Sequence, residues 1–291
     1  MERFKPLNDF VFKKLFGENE VKDNLIAFLN SVLDKKDRER LVSVEILDNK
    51  DLTREMIDDK EGILDVRAKT KDGTQIDIEV QLTDEHNMEK RTLFYWSRLY
   101  SKELKKGQNY NKLNKVITIN ILDFKYLEID KFHSKFHLWE DEIKDYMLTD
   151  LVEIHFIEIP KFRELPNKNL KEDKLQRWLT FFNQDISEEE LKELIAMDAD
   201  IKRAEKRLEY LSSDPKMREI YEAREKALHD RISRMENAME KGIKKGKKIG
   251  EEKAKIDIAK KLILMDMDTE QILNATGLSK EDIDKLYKET H

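Results

Sequence analysis

Cysteine is absent from this 291-residue chain. With it go disulfides, thiolate zinc sites, thiol nucleophiles and iron–sulfur clusters. The absence fits a reducing cytoplasm, which is the expected location. Long apolar runs are missing as well. No window reaches the roughly 18 apolar residues of a membrane span, and the opening MERFKPLNDFVFKKLFG holds no apolar run of signal-peptide length. No membrane partner is expected. A large charge of one sign is also lacking: the net charge of −6 excludes a basic nucleic-acid coat, so any DNA contact would need a local basic patch. Neither a Gly-rich phosphate loop nor a Gly-x-Ser-x-Gly elbow is found. Glycine (8) and proline (4) are scarce.

Charge of both signs is abundant. Charged residues make up 41% of the chain and hydrophobic residues 39%, enough to bury a core but with much exposed helix surface. Asn8 and Asp9 can cap a short amphipathic helix ending at Gly17, and Val21–Leu33 repeats apolar residues at helical spacing. Leu41–Leu47 reads as a strand. Two more strands flank Lys71-Asp72-Gly73, a helical pattern spans Asn87–Leu104, and Val116–Leu122 is apolar enough for a strand buried on both faces. His133–Glu140 and Leu151–Ile159 are further strand candidates. Helix, helix, three strands, helix, three strands predicts an α/β fold: a mixed sheet flanked by helices, followed by an all-α C-terminal region.

That region begins near Asn167, with helical patterns over Leu170–Asn183, Glu188–Met197 and Ile201–Leu211. Asp214-Pro215 starts a long charged helix. Within it Gly242, Gly246 and Gly250 recur every fourth residue, and at up to about 1 kcal/mol each relative to alanine they predict a frayed, close-packed or hinged helix. Two short helices around Thr276-Gly-Leu-Ser279 close the chain. The expected division is 1–165 as the α/β core, 166–212 as a helical extension, 213–264 as the long helix and 265–291 as a small helical pair.

The hairpin GILDVRAKTKDGTQIDIEVQL (62–82) carries the chemistry. Asp65, Arg67 and Lys69 share one face of its first strand, and Gln75, Asp77, Glu79 and Gln81 share one face of the second. A three-residue loop with Gly73 in the left-handed position pairs Thr70 with Thr74 and, counting inward, Asp65 with Glu79. Two adjacent carboxylates repel unless a cation lies between them. Either a divalent ion such as Mg²⁺ does this, or Arg67 and Lys69 neutralise the pair and the face is simply solvated. Asp77 on the same face leaves the assignment open.

The order of motifs resembles the PD-(D/E)XK nuclease core and, more closely, the Rpn family of recombination-promoting nucleases and putative transposases. The matching features are Asp9–Gly17 (DFVFKKLFG), Leu25–Asn30 (LIAFLN), Gly62–Asp65, Glu79-Val-Gln81, Arg91 and Tyr95, Gly107–Tyr110, and the glycine-repeat tail with Thr276–Ser279. The resemblance covers nearly the whole chain. It implies a metal-dependent DNA endonuclease, a hydrolase linked to recombination or transposition. Asp65, Glu79 and the Val80 carbonyl would bind Mg²⁺ (or Ca²⁺ or Mn²⁺), with DNA as partner. Gln81 stands where the superfamily has lysine, and glutamine can only hydrogen-bond. Lys69 or Arg91 could supply the missing charge, Tyr95 could border the site, and Asp9 is either a second approach to it or a helix cap. The alternative is a weak or inactive scaffold that binds DNA or protein.

Lys241, Lys244, Lys245, Lys247 and Lys248 form the best local basic patch, read either as DNA-binding or as a solvated helix face. The terminal TGLS unit resembles half of a helix-turn-helix, but its acidic second helix suits packing or a homo-oligomer through the C-terminal helices at least as well. His133 and His137 fall on an alternating segment that favours a strand over a metal site, and His155 reads as a packed or hydrogen-bonded histidine.

Overall fold

The computed structural model describes residues 2–47, 66–104 and 107–290. The chain divides into two compact units, residues 1–226 and 227–291.

In the first unit, α1 (Asp9–Phe16) is capped by Asn8, whose side chain accepts from the Phe10 and Val11 amides. This satisfies amides that have no partner in the helix. Asp9 is therefore the first helical residue rather than the cap. Helix α2 (Lys22–Val32) buries Leu25, Phe28 and Leu29. The strands β1 (Val44–Ile46), β2 (Val66–Thr70), β3 (Gln75–Gln81), β4 (Val116–Leu122), β5 (His133–Trp139) and β6 (Met147–Glu158) form one sheet in the order β1-β2-β3-β4-β6-β5. The pairs β3–β4 and β4–β6 are parallel, and the other pairs are antiparallel. A parallel neighbour needs a crossover, and α3 (Met88–Lys102) supplies the one between β3 and β4. This is the mixed sheet with flanking helices that the sequence predicts.

The hairpin register is also as read. Val66 pairs with Ile78, Arg67 with Asp77, Ala68 with Ile76 and Lys69 with Gln75. The Thr70 amide donates to the Thr74 carbonyl (3.0 Å), the Gly73 amide donates to the Thr70 carbonyl (3.1 Å), and Gly73 has φ +92°. The Asp65–Glu79 pairing that this register extends to lies outside the described residues.

Alternation divides the sheet into two faces. Val66, Ala68, Ile76, Ile78, Ile117, Ile119 and Ile121 join one core with α1, α2 and the helices α5 (Lys174–Phe181), α6 (Glu188–Met197) and α7 (Ala199–Ser213). Aromatic rings fill its middle: Phe16 lies 4.7 Å from Phe12, 5.5 Å from Phe28 and 5.5 Å from Trp178, centroid to centroid. The other face is covered by α3. A short helix, α4 (Ile159–Arg163), follows β6.

Helix α8 (Pro215–Leu264) is continuous over 50 residues. Gly242, Gly246 and Gly250 neither break it nor pack closely, since a Cβ added at any of them meets no atom within 4 Å among the described residues. The expected fraying or hinge is absent. A cost of about 1 kcal/mol per glycine is too small to break a helix extended by good formers on both sides. Helices α9 (Thr269–Thr276) and α10 (Lys280–Thr290) pack on the end of α8 through Ile263, Ile272 and Ile283. Gly277 (φ +66°) ends α9, and the Ser279 hydroxyl accepts from the Asp282 amide at the start of α10. Among the described residues no helix is long and apolar enough to cross a membrane.

Candidate metal and active site

The polar face of the hairpin is not a wet surface. Gln75, Asp77, Glu79 and Arg67 are all buried, with Glu79 at 3% exposure. The reason lies outside the hairpin: α3 crosses over this face and seats Thr92, Tyr95 and Leu99 on it. The Gln75 amide reaches the Leu99 carbonyl at 3.1 Å. A solvated hairpin face is thereby overturned, because an alternating pattern reports only which residues share a side and not what covers it.

Glu79 is the centre of the buried layer. Its Oε2 accepts from Arg91 Nε at 2.9 Å, and the Arg91 guanidinium carbon lies 5.2 Å from the Tyr95 ring centroid. Burial pushes the Glu79 carboxyl above its usual pKa, and the Arg91 charge and hydrogen bond offset this only in part. Oxygen Oε1 of Glu79 is buried with no hydrogen-bond partner among the described residues. A buried carboxylate oxygen left in that state is costly unless a cation or proton meets it.

The cationic candidates separate clearly. Lys69 Nζ is bound to Glu103 Oε1 at 2.8 Å, at the end of α3. Arg67 is the cross-strand neighbour of Asp77. Among the described residues, Arg91 is the predicted cation in contact with Glu79. Tyr95, expected to border the site, lies beneath that arginine. Gln81 is at the end of β3 on the same side as Glu79, half-buried. Asp9 pairs with Arg224 (3.3 Å) on a helix packed against the opposite face of the sheet. Lys241, Lys244, Lys245, Lys247 and Lys248 are exposed on α8, in the second compact unit. Asp65 lies outside the described residues.

One part of the site was missed from sequence. Asn120 of β4 stands beside Glu79 in the parallel register, and Thr118 stands beside Asp77. Asn120 Nδ2 donates to Thr92 Oγ1 and to the His155 carbonyl, both at 3.0 Å, and Thr92 donates to Thr118 Oγ1 at 3.1 Å. The signal was present in VITINIL, where Thr118 and Asn120 are polar at a spacing of two inside an otherwise apolar strand. These bonds hold α3 against the sheet at the level of Glu79.

The unpartnered Oε1 of Glu79 is a hard oxygen donor of the kind that binds divalent cations. Among the described residues no three His, Asp or Glu side chains form a group that could hold a metal ion.

A second titratable cluster sits on β5 and β6. His133 Nε2 and His155 Nδ1 are 2.8 Å apart, and His155 Nε2 meets Glu153 Oε1 at 2.7 Å. Lys115 Nζ lies 2.5 Å from Glu153 Oε2, with His137 Nε2 3.4 Å from the same oxygen. Strand geometry and hydrogen bonding of these histidines agree with the sequence reading.

A mixed sheet flanked by helices, with a buried carboxylate on its β2–β3 hairpin, defines an α/β protein. A family model described as PD-(D/E)XK nuclease family transposase matches residues 6–238, and the chain belongs to that family. Membership supports a nuclease- or transposase-type function. No curated protein and no solved structure matches the chain.

Proposed function

We propose that this protein is a divalent-metal-dependent DNA endonuclease that hydrolyses phosphodiester bonds and takes part in recombination or transposition. The observation that carries the reading is the Glu79 carboxylate, buried beneath α3 with one oxygen unpartnered, in a chain of a nuclease family. Asp65, Glu79 and the Val80 carbonyl would hold Mg²⁺, with Mn²⁺ or Ca²⁺ as alternatives. A divalent cation supplies Lewis-acid polarisation of the phosphate and lowers the pKa of the attacking water. Glu79 contributes the fixed negative charge, and α3 excludes bulk water, which strengthens electrostatic interactions at the site. Gln81 can hydrogen-bond to substrate or water but brings no charge. Lys69 is bound to Glu103, so in this reading the positive charge near the reacting phosphate would come from Arg91, which also holds Glu79 Oε2. The exposed lysines of α8 would add sequence-independent phosphate contacts.

The second reading is a nuclease-fold scaffold of weak or no activity that binds DNA or a protein. It is favoured by Gln81 at the lysine position and by Arg91 holding Glu79 Oε2.

The deciding experiment follows nicking of supercoiled DNA with Mg²⁺, Mn²⁺ or Ca²⁺, using wild type beside Asp65→Ala and Glu79→Gln. Each substitution should lower the rate by roughly 100-fold or more, the scale of losing a group that acts on the transition state. Equal nicking by all three proteins would remove the assigned site, and a folded wild type inert with every metal would establish the scaffold reading.

A further inference from the structure

The sheet face opposite Glu79 holds a chain of buried polar groups that the nuclease reading does not use. His155 stands beside Ile119 in the β4–β6 register, and Ile119 joins the core with α1 and α2, so His155 is on that side and not beneath α3. Lys115 lies 2.5 Å from Glu153 Oε2, with His137 Nε2 3.4 Å from the same oxygen, and Glu153 Oε1 meets His155 Nε2 at 2.7 Å. His155 Nδ1 in turn meets His133 Nε2 at 2.8 Å, and His155 is 1% exposed.

Each of these bonds needs one donor and one acceptor, which gives the chain a direction. The ionised carboxylate of Glu153 only accepts, so His155 donates from Nε2. Burial keeps His155 neutral, so its Nδ1 accepts and His133 donates from Nε2. Burial also lowers the His133 pKa to about 4. At neutral pH the remaining nitrogen, His133 Nδ1, therefore carries a lone pair, and it has no hydrogen-bond partner among the described residues.

His133 and His155 line an open cavity of about 860 Å³ between the end of α2, the loop after it and the start of α5. Asp34 of that lining is paired with Lys36 (3.1 Å), and Lys35 with Glu39 (3.7 Å). Asp173 caps α5, and Glu172 accepts from Asn169 Nδ2 at 3.2 Å. Asp37 remains, against Arg40, Lys135 and Lys174, three cations with no ion-pair partner among the described residues. Arg40 and Lys135 also line a neighbouring cavity of about 530 Å³.

A lone pair among unpaired cations selects its ligand twice. The cations favour an anion, and the lone pair favours one that still carries a proton. Hydrogen phosphate and the monoanion of a phosphomonoester meet both conditions, because a P–OH can donate to Nδ1 while the other oxygens accept from cations. Sulfate and a phosphodiester are charged but bring no proton. A metal ion would suit the lone pair, but the surrounding cations repel it and no metal-holding group of three His, Asp or Glu exists among the described residues.

We propose that this cavity binds a phosphate that keeps a proton, either free phosphate or a phosphomonoester, with His133 Nδ1 accepting from its hydroxyl and Arg40 and Lys135 meeting its other oxygens. Glu153 and His155 are positioning residues that fix the His133 tautomer. A cavity of this volume holds more than a bare phosphate, which favours the monoester. The proposal is independent of the nuclease reading, since it uses the other face of the sheet.

Calorimetry on the full chain at pH 7 tests it with inorganic phosphate, adenosine 5′-monophosphate and sulfate. At least one of the two phosphates should bind at millimolar concentrations. Sulfate should bind about tenfold more weakly or worse, the scale of leaving one buried acceptor unpaired. The difference should shrink as pH falls toward 4, where His133 gains a proton and becomes a donor. Tighter binding of the nucleotide assigns the monoester, and tighter binding of inorganic phosphate assigns the free ion. Arg40→Gln, at an exposed position, should weaken phosphate and sulfate alike and leave their ratio unchanged. Nitrogen NMR of labelled histidines checks the chain without any substitution. Nε2 of both His133 and His155 should carry the proton, and phosphate should shift His133 Nδ1. Equal affinity for sulfate and phosphate, no binding of either phosphate at millimolar concentrations, or a proton on His133 Nδ1 in the free protein at pH 7 would each overturn the proposal.

Discussion

At the residue scale, Glu79 and Arg91 are each costly without the other. Arg91→Ala leaves the Glu79 carboxylate buried with no counter-ion, and we expect a loss of about 3 kcal/mol in urea unfolding. Adding Glu79→Gln should recover at least half of it, because the uncompensated charge goes with the carboxylate. A double variant no more stable than Arg91→Ala would show that Arg91 stabilises the fold through contacts other than its pairing with Glu79, the Tyr95 ring among them. The histidines of β5 and β6 set a different dependence. Burial first, then the charges of His155 and Lys135, lower the His133 pKa from 6.5 to about 4. The unfolded chain therefore binds a proton at this residue below pH 6.5, while the folded protein does not until about 4. Stability must then fall as pH drops across that window, by up to about 3 kcal/mol from this group. Glu153, held below the usual carboxylate range by His155 and Lys115 despite its burial, contributes stability that disappears on acidification as its unfolded-state pKa is passed. Both effects have the same sign. Thermal melts of wild type and His133→Asn between pH 7 and 4 should converge at low pH, and parallel curves would refute the assignment.

At the scale of elements, the β2–β3 turn depends on glycine for two reasons. Gly73 has φ +92°, and a Cβ there would stand 2.8 Å from Asn114 Nδ2. Asn114 cannot yield freely, because both its side-chain and backbone N–H groups donate to Glu103 Oε2. Glu103 in turn holds Lys69 of β2. Gly73→Ala should cost about 1–2 kcal/mol in chemical denaturation. A neutral result would mean that the Asn114 segment moves aside without penalty. Helix α3 makes the opposite point about elements. It is the crossover that parallel pairing demands, and by lying across β3 it turns a polar strand face into an enclosed site.

At the scale of the whole molecule, a net charge of −6 means that DNA affinity has to come from local positive charge. If the α8 lysines neutralise phosphates, replacing Lys241, Lys244, Lys245, Lys247 and Lys248 by glutamine should weaken DNA binding at low salt. The plot of log affinity against log salt should also become shallower by about 0.9 for each phosphate that is no longer neutralised. Fluorescence anisotropy at several salt concentrations measures both. An unchanged slope would assign these lysines to a solvated helix face.

Much of this protein is determined by local sequence. Alternation, apolar β-branched runs and helical spacing mark each described strand of the sheet and most helices around it, while α4 at the end of β6 was not expected. The turn chemistry of Lys71-Asp72-Gly73 set the β2–β3 register, because a strand offset by one residue would put Ile76 and Ile78 on the polar side. Tertiary structure alone decided what covers the carboxylate face. The alternation that places Glu79 beside Gln81 holds equally for a strand open to water and for one beneath a helix. Among the described residues the path of α3 covers that face and brings Arg91 to Glu79, and the parallel pairing of β4 with β3 aligns Asn120 beside it. Arg91 and Asn120 stand 12 and 41 positions along the chain from Glu79, and no periodicity within a single element encodes a distance between two of them.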